Sequence, residues 1–318
     1  MSTSALLDPP SSAASGPKPL TEGKQPVGIL IGLWAFVVAP FVALIVAIPI
    51  AWGGWLHWTD VIIGIVFYFA AGFGVTIGFH RYLTHGSFKA KRWLRVTLAI
   101  AGGMAVQGNP TQWVADHRRH HAYSDQEGDP HSPWAYGSGF WGLTKGLCHA
   151  HMGWLFHREL SNRARFAPDL MADKDLRRVD KLFPLIVALS LLTPAAVGGL
   201  VTWSWQGALT AFFWAGLVRV SLLHHVTWSI NSICHVFGDH PFETRNGDRA
   251  ANFWPLAILS FGESWHNLHH ADPTCARHGV LRGQLDSTAR MIWIFEKCGW
   301  VSDVRWPKPE RIAAKLAR

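Results

Sequence analysis

The sequence predicts an all-α integral membrane protein, four transmembrane helices joined to a helical cytoplasmic cap. Three observations predict it. Four stretches are apolar and long enough to cross a bilayer, Lys and Arg crowd into the long segment between the second and third, and nine histidines gather in clusters outside or at the ends of the spans. Composition agrees: 49% hydrophobic residues, 18 Trp, 18 Phe and only 16% charged residues are too apolar and aromatic for an ordinary soluble domain of 318 residues.

Met1 to Gln25 is rich in Ser, Pro, Ala and Gly and reads as a disordered tail. It has neither the basic n-region nor the short apolar core of a cleavable signal peptide. Residues 26–318 read as one domain. Val27 to Trp52 has no charged side chain and covers a hydrocarbon layer of roughly 30 Å, so the first span is expected over 27–52. The second is expected over about 60–80, its last turn delivering His80 at the membrane surface. The third is expected over 182–203 and the fourth over 208–228, the latter apolar apart from Arg219, His224 and His225.

The connections Gly53 to Thr59 and Ser204 to Gly207 are short and carry no Lys or Arg, whereas Arg81 to Lys181 is dense in both. The positive-inside rule then puts that segment, both termini and every histidine cluster in the cytoplasm. Four spans make this consistent, because an even number returns the C-terminal cluster to the same side. The net charge of +8 belongs mostly to this face, and its plain reading is topology and attraction to anionic headgroups. Nothing points to nucleic acid.

The clusters are His80-Arg-Tyr-Leu-Thr-His85, His117-Arg-Arg-His120-His121 and His266-Asn-Leu-His269-His270, with a single site at Asn231-Ser-Ile-Cys-His235. In the second and third, imidazoles at i, i+3 and i+4 leave one helix face within a turn. Two bridged metal ions would explain the number, since one ion needs only three or four protein ligands. The histidines collect at one membrane face, whereas metal transport would need polar groups buried across the spans. Cys148, Cys234, Cys275 and Cys298 are scattered, so neither a disulfide framework nor a cysteine-ligated metal site is expected.

These three boxes, in this order, resemble those of membrane-bound fatty acyl desaturases of the acyl-CoA Δ9 (stearoyl-CoA) type. Flanking residues extend the similarity: Trp113-Val-Ala-Asp-His117, Asp129-Pro-His131, His151-Met-Gly-Trp154 and Gly262-Glu-Ser-Trp-His266. The resemblance implies a di-iron centre held by His80, His85, His117, His120, His121, His235, His266, His269 and His270, with Asn231 reaching one iron through a water. Asn231 and His235, at i and i+4, share a helix face and can address one metal together. It also implies dioxygen-dependent insertion of a cis double bond, most simply Δ9, into a long saturated acyl thioester. Acyl-lipid desaturation or hydroxylation on the same metal chemistry is the alternative. All-imidazole sites do not select iron over zinc by affinity, so zinc can load on overexpression.

Asp116, Glu263 and Asp272 are candidates, by sequence proximity, for fixing imidazole tautomers. Trp113, Trp228, Trp265 and Tyr68, with Phe67 and Phe69 beside it, are candidates for an acyl tunnel; helix packing is the plain alternative. His57, His131, His149, His151, His157, His224, His225, His240 and His278 lack a full cluster pattern and read as structural or exposed, His131 and His151 least securely. Electrons must come from a separate donor such as a ferredoxin, a rubredoxin-like protein or a flavoprotein reductase. The chain shows no His-Pro-Gly-Gly haem signature, His240-Pro241-Phe242 being the nearest string, and no flavin fingerprint. Arg118, Arg119, Arg163 and Arg165 are expected to steer an acidic carrier.

Overall fold

The computed structural model describes residues 17–317. Four helices are long and apolar enough to cross a membrane, Val27–Trp52, Trp58–Thr84, Phe183–Thr202 and Trp205–His235. The first and third agree with the sequence reading to within a residue. The second and fourth are longer than expected at their histidine ends, because hydropathy marks only the stretch that lipid can solvate. Beyond it the fourth helix is kept by burial in protein, with Ile230, Ser232, Cys234 and His235 all buried. Trp52, Trp58, Trp203 and Trp205 are more than four-fifths exposed and mark the opposite ends of the spans, as aromatic anchors at a headgroup layer do.

From Gly74 to Thr84 the second span widens into a π-helix. This explains the spacing of the first box. On an α-helix residues five apart diverge by roughly 140°, but here His85 N–H donates to His80 O, an i to i+5 bond of 3.2 Å. The two rings come to 4.9 Å, centroid to centroid. The wider turn packs tightly on the helix Arg92–Gly103, and a Cβ on Gly74 would lie 2.1 Å from the Gly102 nitrogen. Only glycine permits that approach.

The helix Pro110–Tyr123 carries the second box. Asn109 caps it by accepting from Gln112 N at 2.9 Å, Pro110 sits at its first position, and Asp180 accepts from Thr111 N and Oγ1. Arg118 projects from this helix to the end of the second span and donates to the carbonyls of Leu83 and Thr84 at 2.7 and 3.1 Å. Those carbonyls are orphans of a helix terminus. One arginine therefore holds the first box against the second.

Thr21–Lys24 forms a strand, antiparallel to Glu159–Ser161, which differs from the expected disordered tail through Gln25. Its polar residues find partners: Glu22 pairs with Arg163 at 2.5 Å and Lys18 donates to Ala164 O. Composition alone cannot show a partner strand so far along the chain. Residues 1–16 of the tail lie outside the described residues. A second small pairing, Lys89–Ala90 with Val301–Ser302, ties the C-terminal region to the start of Arg92–Gly103.

Candidate metal centre

The structure brings the nine histidines of the boxes and the single site into two groups. His80, His85, His117, His121 and His269 can all place a ring nitrogen within 4.8 Å of one another, and so can His120, His235, His266 and His270. Each group draws on at least three chain segments, so neither exists before the fold does. Within the first, Nε2 of His269 lies 3.0 Å from that of His80 and 2.8 Å from that of His121, which is 3.1 Å from His117. Within the second, Nε2 of His266 lies 3.1 Å from both His235 and His270. Metal–nitrogen bonds of about 2.1 Å at right angles separate neighbouring nitrogens by about 3.0 Å, against about 3.4 Å at tetrahedral angles. The spacing fits nitrogens that share an ion.

Proton placement gives an independent test of fit. Nδ1 of His120, His235 and His270 faces Asp129, Asp125 and Asp248 at 3.0, 2.8 and 2.7 Å. Each ring therefore holds its proton at Nδ1 and presents a lone pair at Nε2. Three lone pairs converging in a dry pocket repel unless a cation lies between them. Nε2 of His120 and of His85 are buried with no hydrogen-bond partner among the described residues, as atoms awaiting a ligand are. Burial, and then the neighbouring imidazoles, hold His85, His117, His121, His266, His269 and His270 well below the usual histidine range, so they stay neutral and able to ligate.

Of the carboxylates proposed from sequence, Glu263 reaches an imidazole, 2.5 Å from His80 Nδ1. Asp116 and Asp272 do not. Asp116 is one residue from His117, hence about 100° around the helix, and it accepts from Gln112 at 3.0 Å; burial pushes its carboxyl up to about 6. Asp272 lies past the end of the third-box helix and pairs with Arg311. Asp125, Asp129 and Asp248 were missed, because they come from loops whose paths the spacing does not reveal.

Asn231, with His80, His117, His266 and Glu263, lines an apolar cavity whose other walls include Gly72, Val75, Leu223, Val226, Ile230 and Phe261. Trp113 lines it too, stacked on His117 at 5.0 Å. The other tunnel candidates are elsewhere. Tyr68 donates to Leu259 O and leans on Phe261, Trp228 packs on His224, and Trp265 donates to Leu285 O. Phe69 is partly exposed and Phe67 lies under Arg219.

The remaining histidines mostly have ordinary partners: His224 bonds Ala105 O, His151 bonds both His225 and Ser232, and His240 bonds Ala250 O. Two do not. His131 stacks on His120 at 4.3 Å, and His278 sits 3.4 Å from Glu263. The arginines expected to steer a carrier are committed internally: Arg118 to Asp169, Arg119 to Gly128 O, Arg163 to Glu22 and Arg165 to Tyr123.

The fatty acid desaturase family model matches residues 56–282. Among similar proteins, hex-5-enoyl-(acyl-carrier protein) acetylenase of Moorena producens (strain JHB) is 41% identical over 87% of both chains. The sn-1 stearoyl-lipid 9-desaturase of Anabaena variabilis is 36% identical over 78% of this chain and 85% of its own. The acyl-CoA C20 Delta5-desaturase of Anemone leveillei is 38% identical over 74% and 70%. Four apolar helices, two converging histidine groups and this match lead to one conclusion: the chain belongs to the fatty acid desaturase family.

Proposed function

We propose that this desaturase inserts a cis Δ9 double bond into a long saturated acyl-CoA, at two irons facing the cytoplasm. One observation carries the reading: imidazoles of both histidine groups open onto one apolar cavity that can receive an alkyl chain. Bound by the five-histidine and four-histidine groups, iron would supply the dioxygen chemistry that removes hydrogen from an unactivated methylene, which no side chain can do. The reaction converts CH2–CH2, O2, two electrons and two protons into CH=CH and two waters. The residues have separate tasks. Asn231 holds a water against the four-histidine group, Glu263, Asp125, Asp129 and Asp248 fix ring orientation, and Trp113 with the aliphatic wall positions the chain and excludes bulk water. The electrons come from a separate carrier, and the Lys and Arg content of residues 81–181 supports a cytoplasmic centre.

A second reading, an acyl-lipid substrate, is favoured by the Anabaena variabilis relative, a stearoyl-lipid desaturase by name, while the name of the Moorena producens relative specifies an acyl-carrier protein. Hydroxylation on the same centre is a third outcome. Iron-loaded protein in liposomes, supplied with oxygen, NADPH, a ferredoxin and its reductase, should be offered stearoyl-CoA, stearoyl-acyl-carrier protein or stearoyl phospholipid in turn. Mass spectrometry locating a Δ9 bond from the CoA ester supports the proposal. A product only from phospholipid or carrier protein, a bond at another carbon, or a hydroxylated chain overturns the corresponding part.

A further inference from the structure

With Arg118, Arg119, Arg163 and Arg165 committed internally, a different surface reaches the metal groups. Arg249 is exposed, has no carboxylate partner among the described residues, and lies 3.9 Å from the centroid of the Trp134 ring. This pair is joined to His235 twice. Trp134 Nε1 donates to the His235 carbonyl at 2.9 Å. Arg249 N donates at 2.9 Å to Asp125 Oδ2, the oxygen that faces His235 Nδ1 at 2.8 Å. Ser132 closes the unit, donating to Asp125 Oδ1 and accepting from Trp134 N, both at 3.1 Å.

Holding His235 would need only Asp125 and one backbone donor. A partly exposed indole under an unpaired cation adds two things that such a clamp does not need. The cation is a positive docking point, and the π-system is one hydrogen bond from the backbone of a metal-facing histidine. We propose that the Trp134–Arg249 pair is the docking point and electron inlet for an acidic one-electron carrier protein, delivering to the four-histidine group. The inference rests on the desaturase reading above. Two carrier molecules are oxidised in turn for each double bond, and their two electrons, with two solvent protons and the two hydrogens removed from the acyl chain, reduce O2 to two waters.

The test uses the full iron-loaded chain in nanodiscs and, as probe, a reduced acidic plant-type 2Fe–2S ferredoxin, following its own absorbance as it is reoxidised in a stopped-flow instrument. Arg249→Glu should slow the second-order phase by at least about tenfold at low salt, the gap closing near about 0.5 M salt. Arg249→Gln, which keeps a neutral loop, should give an intermediate loss, and Arg249→Lys should retain most of the rate. Trp134→Phe should leave ferredoxin affinity intact and lower the rate at saturating ferredoxin. Iron content, and reduction by the small dye methyl viologen, should stay within twofold throughout. Wild-type kinetics in Arg249→Glu and Arg249→Gln would overturn the inference, as would a wild-type enzyme reduced by the dye but not by ferredoxin. An enzyme that ferredoxin reduces normally, yet that forms no double bond, would instead refute the desaturase reading.

Discussion

Glu263 and His80 are joined by a contact of 2.5 Å from Oε2 to Nδ1, and the other Glu263 oxygen takes two N–H groups of Arg81, at 2.9 and 3.1 Å. Arg81 is wholly buried and also meets Asp286 at 3.1 Å, so one cation faces two carboxylates beside the five-histidine group. Burial opposes ionisation of Glu263, but Arg81, His80 and His278 hold its carboxyl well below the ordinary range. The charge is there to fix the His80 ring. Glu263→Gln should therefore weaken metal binding by about 10–100-fold with the fold retained. Metal titration followed by elemental analysis checks this; an unchanged affinity would show that His80 needs no carboxylate.

The four-histidine group offers a sharper contrast. Asp125→Asn and Asp248→Asn replace the carboxylates facing His235 and His270 by neutral amides and should each lower bound metal, towards one ion per chain. Asp116→Asn and Asp272→Asn should leave it unchanged. Asp116 in particular accepts from Gln112 and faces no imidazole of either group, so the substitution leaves the ligands untouched. Equal metal loss in all four variants would point to general destabilisation.

This contrast also marks what the sequence revealed. Imidazoles repeated on one helix face announce themselves, because the 3.6-residue period makes His117, His120 and His121 neighbours wherever the helix lies. The supporting carboxylates do not share that period. They belong to loops that return from elsewhere, as Asp248 does to His270, and proximity in sequence misdirects when a one-residue step turns the side chain away. The π-helix was hidden for a related reason. No residue of Gly74–Thr84 marks a π-helix as against an α-helix, and only the i to i+5 bond at His85 shows why the first box is spaced as it is.

Asn231 lies on the cavity wall with His266, and its expected role is to hold a water. Asn231→Ala should keep most of the metal, since all nine imidazoles remain, while lowering turnover by at least about tenfold, or roughly 1.4 kcal/mol of barrier. Parallel assays of metal content and double-bond formation separate the two effects. Loss of both together would make Asn231 a structural residue.

The last prediction concerns an arginine inside the membrane-spanning bundle. Arg219 is buried with no acidic partner among the described residues, and it donates instead to Ala215 O, Met104 O, Ser190 O and Ser190 Oγ at 2.8–3.0 Å. The Ser190 carbonyl is a special case. Its helical partner four residues on is Pro194, which has no N–H to give. Arg219 supplies that missing bond across the interface, and at Met104 it also caps the end of the helix Arg92–Gly103. Arg219→Met would orphan the Ser190 carbonyl and weaken the cap, at a cost of about 1–3 kcal/mol for each buried group left unpaired. Thermal unfolding in detergent should show the loss. Pro194→Ala, by restoring the intrahelical donor, should recover part of the stability in the Arg219→Met background while adding little to the wild type. A double-mutant cycle with no coupling between the two sites would refute the pairing.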